Sequence, residues 1–325
     1  MTTGLDVARI ERNKPLRSFT TLRAGGPAEL FFFARLADEL AKIVSWAQVD
    51  NWHTTILGWG SNVLPSDNGV PGLVVLNRAD SIEITDAGEV IVDSGCSFQE
   101  LFLKTTQAGL SGFEFGVGIP GTVGGALVSN AGAYRSNVSE FLTSLEVVKD
   151  GRRSWVDPDY MEFSYRDSIL RRDNPPQCAI IRARFQMPKG KAWESYQEAR
   201  EYQRQRISKQ PPPASAGSFF KNVYDKALAS SIPNLPDKMK EAGVVPSGYL
   251  IEHAGLQGMR HGGAEIARKH ANFIVNSRNA TATEIRQLAG LVKRKVEERF
   301  QVVLEEEVLY LGDWSRFREA WEPAD

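Results

Sequence analysis

Cysteine and histidine are scarce in this chain. Its 325 residues hold two cysteines, Cys96 and Cys178, and four histidines, His53, His253, His261 and His270. Two thiols build neither a disulfide framework nor a four-thiolate zinc site, and a metal centre would have to draw on carboxylates, so no metal is expected. Both cysteines read as small buried thiols of a reducing compartment. A charge excess is also missing: 39 Lys and Arg against 40 Asp and Glu leave a net charge of −1. That balance disfavours nucleic acid and an anionic membrane surface as partners. No stretch reaches the roughly 18 apolar residues of a membrane helix. The opening MTTGLDVARIERNK has no apolar signal-peptide core, so a cytoplasmic location is the expectation. With 42% hydrophobic and 24% charged residues the chain is not disordered, and its length suits two or three domains.

Periodicity marks the elements. Leu40, Ile43, Val44 and Ala47 form one stripe of a helix opened by Asp38-Glu39. Thr54–Leu57, Leu73–Leu76, Leu145–Val148 and Cys178–Gln186 read as strands, with Asp150-Gly151 as a turn, and Ile82–Thr85 with Val90–Val92 as a hairpin. Ser97–Glu100 and Thr281–Glu284 have the capping-box pattern, and Gly109 suits a left-handed helix end. The second box opens a helix with Ile285, Leu288, Leu291, Val292, Val296 and Phe300 on one face, and a final strand is expected over residues 301–311. Residues 191–209 are helical in composition. The Pro211-Pro212-Pro213 run stops that helix and sets a domain boundary near 210.

Glycine is concentrated in two places, Gly58-Trp59-Gly60-Ser61-Asn62 and Gly116 through Gly125, the second followed by Asn130-Ala131-Gly132-Ala133-Tyr134. Without a Cβ, glycine lets main-chain N–H groups approach an anion, and a helix starting after the turn favours a phosphate. Neither segment carries the dinucleotide fingerprint or a Walker loop. An anion cradle is the reading, for a ligand with two phosphates; glycines that serve turns alone are the competing one.

Taken in order, these segments resemble a known family. Asn13–Leu16, Phe19–Ala28, Leu57–Leu64, Ile119–Tyr134, Tyr165–Ser168, Gly217–Asn222, Ala254–Gly258, His270–Asn276 and Leu304–Val308 together resemble the UDP-N-acetylenolpyruvoylglucosamine reductases and span nearly the whole chain. The resemblance implies an α+β chain with the FAD-binding fold of the vanillyl-alcohol-oxidase (PCMH) type. Two subdomains, 1–75 and 76–209, would hold non-covalent FAD, a domain over 210–315 would bind substrate, and 316–325 would be a tail. NADPH would be the reductant and the enolpyruvyl ether of UDP-N-acetylglucosamine the substrate. FAD would lie against Gly58, Gly60, Ser61, Asn62, Gly118, Ile119, Pro120, Gly121, Gly124, Gly125, Asn130, Gly132 and Ala133. Arg166 and Glu307 would stabilise an enolate, and Ser218 would protonate its α-carbon. Tyr165, Lys221, Asn222 and His270, with Asn272, would contact the sugar nucleotide. The short spacing from Arg166 to Ser218 suggests the subtype without an extra tyrosine-bearing insertion. Val223 departs from the family's proline after Lys-Asn. A monomer is expected.

The chemistry suits those residue types. A planar guanidinium matches a carboxylate, an enolate needs donors where its charge develops, and a serine needs a cation or relay to act as an acid. Alternation in the expected last strand places Glu307 opposite Val308 and Tyr310, among apolar neighbours that would raise its pKa. Two other readings stand beside this one. An FAD-dependent oxidase of alcohols or sugars shares the fold, although the two glycine segments lack the His or Cys that would tether flavin covalently. A non-catalytic flavin- or nucleotide-binding module would have no use for the Arg166, Ser218 and Glu307 set.

Overall fold

The computed structural model describes residues 7–211 and 214–322. The chain packs as two compact units. One draws on Met1–Lys14, Ala28–Trp59 and Pro71–Ser208, the other on Pro15–Pro27, Gly60–Val70 and Lys209–Asp325. Helices and both parallel and antiparallel strands give the α+β architecture. Among the described residues no helix is long and apolar enough to cross a membrane.

In the first unit, Glu11–Pro15, Pro27–Ala34, Val70–Asn77 and Thr54–Leu57 lie side by side in that order, the last pair parallel. A five-stranded antiparallel sheet runs Arg152–Val156, Leu142–Lys149, Cys178–Gln186, Glu89–Asp93 and Ile82–Ile84. Helix α1 (Ala37–Val49) turns Leu40, Ile43, Val44 and Ala47 into a core with Leu30, Phe32, Leu73, Val75, Val148 and Ile181. Burying each such branched side chain contributes about 1.5–3 kcal/mol. Helix α2 (Phe98–Gln107) begins at Ser97, whose hydroxyl accepts from the Glu100 N–H, and Gly109 follows its end at φ +73°. Phe98, Phe113 and Phe185 then pack edge to face above the large sheet. Helix α3 (Val123–Val128) is one short turn, and α4 (Ala192–Lys209) carries the chain to the proline run. Pro212 and Pro213 of that run lie outside the described residues.

In the second unit, Ala214–Ser215, Ile274–Asn276, Ala264–Ile266 and Arg260–His261 form an antiparallel sheet. Helices α5 (Lys226–Ser231), α6 (Asp237–Ala242) and α7 (Ser247–His253) precede α8 (Ala282–Phe300). The capping box of α8 is complete: Thr281 and Glu284 exchange side-chain bonds with each other's N–H. Ile285, Leu288, Val292 and Val296 are buried against Leu250, Ile251 and Ile274.

The expected strand over 301–311 is a correction. Gln301 ends α8 in the left-handed conformation, residues 302–308 are irregular apart from one Phe220–Glu306 bridge, and only Leu309–Leu311 is strand, parallel to Val63–Pro65. Three adjacent glutamates have low strand propensity. The alternation argument for Glu307 therefore falls, although Leu304 and Val308 are buried.

Candidate active site

In the first unit, Tyr165 and Arg166 are the two central residues of a tight turn closed by paired Ser164 and Asp167 main-chain bonds. Arg166 adopts φ +54°, a left-handed conformation that costs a non-glycine residue about 1–2 kcal/mol. The turn is tied to the segment after α3. Ser168 Oγ donates to Val128 O at 2.7 Å, Asn130 Nδ2 donates to Ser164 O at 3.0 Å, and the Arg166 guanidinium donates to Asn130 O at 3.5 Å and to Gly132 O. Its Cζ also lies 5.4 Å from the Tyr165 ring centroid. Arg166, Tyr165, Asn130 and Gly132 are thus one constellation, with Ala133 beside Gly132 in the hairpin Gly132–Ala133/Ser136–Asn137.

The glycine segments work differently from the expectation. The first N–H groups of α3 are already used: Val123 donates to Cys96 O, Gly124 to Ser94 O and Gly125 to Thr122 Oγ1. Gly118 N–H donates to Gln99 Oε1, Ile119 N–H to Gly116 O, and Gly121 O accepts from Phe98 N–H. These amides hold the loop and do not offer a helix N-terminus to a phosphate. Ile119 and Pro120 line an open cleft of about 810 Å³ with Trp59, Ile82, Ile84 and Arg78, a size suited to a cofactor group.

Arg78 is a residue that sequence reasoning missed. Its Nη1 donates to Gly58 O and Asn77 O, both at 2.9 Å, and among the described residues it has no acidic partner. Burial lowers its pKa from the usual arginine value. Asn130 supplies a second open valence: the residue is buried and its Oδ1 has no hydrogen-bond partner. A buried acceptor without a donor is costly unless a ligand fills it. The cleft joins apolar side chains with Arg78 and Lys104, and Asp80 and Glu100 share its wall; apolar surface and cations together fit a group bearing an aromatic base and phosphates, as FAD does. Among the described residues no three His, Cys, Asp or Glu side chains are placed to hold a metal ion.

In the second unit, the residues that follow Ser218 pair through their main chain with residues 305–307. Glu307 N–H donates to Phe219 O at 2.8 Å, Lys221 N–H donates to Glu305 O at 2.8 Å, and Phe220 bridges Glu306. The Gly60–Asn62 loop joins them: Asn62 Nδ2 donates to Glu307 O at 3.1 Å, and Asn62 O accepts from Leu309 N–H. Ser61 lies between Gly60 and Asn62 in that loop. Gly60, at φ +62°, accepts from Thr21 N–H, and a Cβ there would sit 2.1 Å from Phe19 O. Only glycine fits that position.

The acidic run is divided by its partners. Glu305 pairs with Lys221, and Glu306 with Lys293 at 2.9 Å, while Glu307 is half-buried and its main-chain N–H donates to Phe219 O. Lys221, a substrate candidate, is thereby engaged with Glu305. Asn222 Oδ1 accepts from Ser247 N–H at 3.4 Å. Asn272 is structural: Oδ1 accepts from Phe220 N–H at 3.0 Å and Nδ2 donates to Phe220 O at 2.9 Å, so both ends of its amide are committed. His270 packs on Phe273 and accepts from Asn272 N–H. Arg166 belongs to the first unit, and Ser218 and Glu307 to the second.

Comparison with known proteins agrees with these two halves. A family model for an FAD binding domain matches residues 28–155, and one for the C-terminal domain of UDP-N-acetylenolpyruvoylglucosamine reductase matches residues 207–311. The reductase of Acaryochloris marina is 38% identical over 302 residues, 91% of each chain. The chain belongs to the UDP-N-acetylenolpyruvoylglucosamine reductase family. Another member, reductase 1 of Bacillus cereus, is 35% identical over 94% of this chain and 96% of its own. The crystal structure of the Thermus caldophilus reductase matches with a TM-score of 0.73 at 32% identity, covering 93% of this chain and 99% of that one. Membership makes the chain an oxidoreductase that uses FAD and NADPH, on the FAD-binding fold expected from the sequence.

Proposed function

We propose that the chain reduces the enolpyruvyl ether of UDP-N-acetylglucosamine to UDP-N-acetylmuramate with NADPH and FAD, a step of peptidoglycan precursor synthesis. The observation that carries this reading is the pairing of the Ser218 segment with the Glu307 segment inside a C-terminal half that matches the reductase's own domain.

FAD, when bound, would supply the hydride transfer, taking the hydride from NADPH and passing it to the unsaturated carbon. The chain's own residues handle the rest. Arg166 presents its fork to the substrate carboxylate, where negative charge grows as the double bond is reduced. Ser218 donates the proton to the α-carbon; Gly217, at φ +79° with open space around it, frees the approach to that hydroxyl. Glu307 orients the developing enolate. Lys221 and Asn222, at the foot of the same segment, and Tyr165 and His270 serve the sugar nucleotide. The Gly58–Asn62 and Gly118–Ala133 segments would be the ones to hold flavin, and Arg78 fixes Gly58 through its carbonyl oxygen. The division into 1–75, 76–209 and 210–315, the shorter subtype, a cytoplasmic location and a monomeric state without nucleic-acid or membrane partners belong to the same proposal, the last supported by a net charge of −1.

The test is anaerobic oxidation of NADPH by the purified protein. Turnover that depends strictly on the enolpyruvyl sugar nucleotide supports the reading. Turnover with oxygen as the better acceptor and no response to that substrate rejects it in favour of an oxidase.

A further inference from the structure

Arg206 lies on the last turn of α4. Among the described residues it makes no ion pair. Its guanidinium donates once, from Nη2 to Phe115 O at 3.2 Å, and its Nε is buried with no hydrogen-bond partner. Burial is the main cause of a lowered pKa; Tyr134 opposes it, and the charge of Arg166 adds to it. A desolvated arginine with no acid among the described residues to offset the cost is an arrangement that folding alone does not favour. Its setting is specific. A Cβ at Gly118, already strained at φ +71°, would lie 3.2 Å from Arg206 Cδ, so a glycine of the flavin-loop segment makes room for this side chain. The Arg206 Cζ is 5.8 Å from the centroid of Tyr134, whose ring is stacked on Tyr202 at 3.6 Å. Tyr134 and Arg135 are both at positive φ, +53° and +72°, in a two-residue hairpin turn that ordinarily calls for Asn-Gly. The local rules are broken where the arginine is left open, as they are at functional sites.

We propose that Arg206 is a ligand-binding residue whose missing counter-ion is a phosphate of a bound nucleotide. This rests on the reading of the chain as a nucleotide-using reductase. Three nucleotides of the reaction share that chemistry: FAD, NADPH and the UDP-sugar. A charge-assisted bond from a desolvated guanidinium to a phosphate is worth a factor of about ten or more in affinity.

The experiment compares wild type with Arg206→Met and Arg206→Lys. Deflavinated protein is titrated with FAD, and flavin-loaded protein is titrated with NADP+ and with UDP-N-acetylmuramate, binding being read from the flavin spectrum. The Met variant is expected to lose about tenfold or more in affinity for one of the three, which identifies the phosphate. Lysine is expected to restore part of that loss, and the melting temperature of the ligand-free protein to stay near wild type. All three dissociation constants within twofold of wild type overturn the proposal. A Met variant that fails to fold, or is destabilised without ligands, also overturns it, since Arg206 would then be structural. Failure of the underlying reading looks different, because wild type itself would then take up no flavin or show no substrate-dependent turnover.

Discussion

Asn272 offers a test of how the second unit holds Ser218 in place. Its side chain acts like a neighbouring strand, accepting from Phe220 N–H and donating to Phe220 O, and both residues are buried. Asn272→Ala removes both partners and leaves two main-chain groups without water. Each unsatisfied buried group costs about 1–3 kcal/mol, so the variant should lose about 2–6 kcal/mol of stability. Urea unfolding of the second unit, followed by the shift of its midpoint at constant slope, reads that number. Phe220 is two residues from Ser218, and Phe219 O receives the Glu307 N–H. The same variant should therefore lose turnover by about 10²-fold at temperatures where it remains folded, because small misplacements of reacting groups are costly. A loss below about 1 kcal/mol with wild-type turnover would refute the claim that this amide clamp positions the segment.

Other expectations follow from single sites. Gly60→Ala must place a Cβ against Phe19 O in a left-handed conformation. It should yield protein with a lower ratio of flavin to protein absorbance, and full flavin content would contradict the loop's role. Burial pushes the Cys96 thiol up to about 12 and also raises that of Cys178. Ellman's reagent at pH 8 should find both thiols slow in the native protein and fast in urea; rapid native reaction would show these sites to be open. A hydrogen bond from Arg153 is the main reason the Asp38 carboxyl lies below its ordinary 3.8. The unfolded chain then binds more protons in that window, so the bond's stabilisation is present above about pH 4 and is lost as pH falls through the depressed value. Asp38→Asn should flatten the acid limb of stability against pH, and an unchanged limb would contradict the assignment.

Much of the fold was legible where burial follows a simple period. The α1 stripe, the complete capping box of α8 and the strands Thr54–Leu57 and Cys178–Gln186 stand where the sequence places them. Arg152–Val156 escaped notice because it is an edge strand with four exposed residues and no buried alternation, although the Asp150-Gly151 turn before it was readable. The stretch after α8 misled in the opposite sense, since its spacing resembles a strand while its hydrogen bonds go to residues 219–221. The site was legible mainly through the family resemblance. Glycine density drew attention to segments whose α3 amides bond the protein itself. Arg78 and Arg206 carried no signal as lone basic residues; only three-dimensional packing shows that among the described residues neither has an acidic partner.

The central claim is that the C-terminal half supplies the proton in a flavin-dependent reduction. Stopped-flow measurement of Ser218→Ala addresses it most directly by separating the two half-reactions. Flavin reduction by NADPH should proceed at nearly the wild-type rate, while reoxidation by the enolpyruvyl sugar nucleotide slows by about 10²–10⁴-fold. Equal slowing of both halves, or reoxidation at the wild-type rate, would contradict the account.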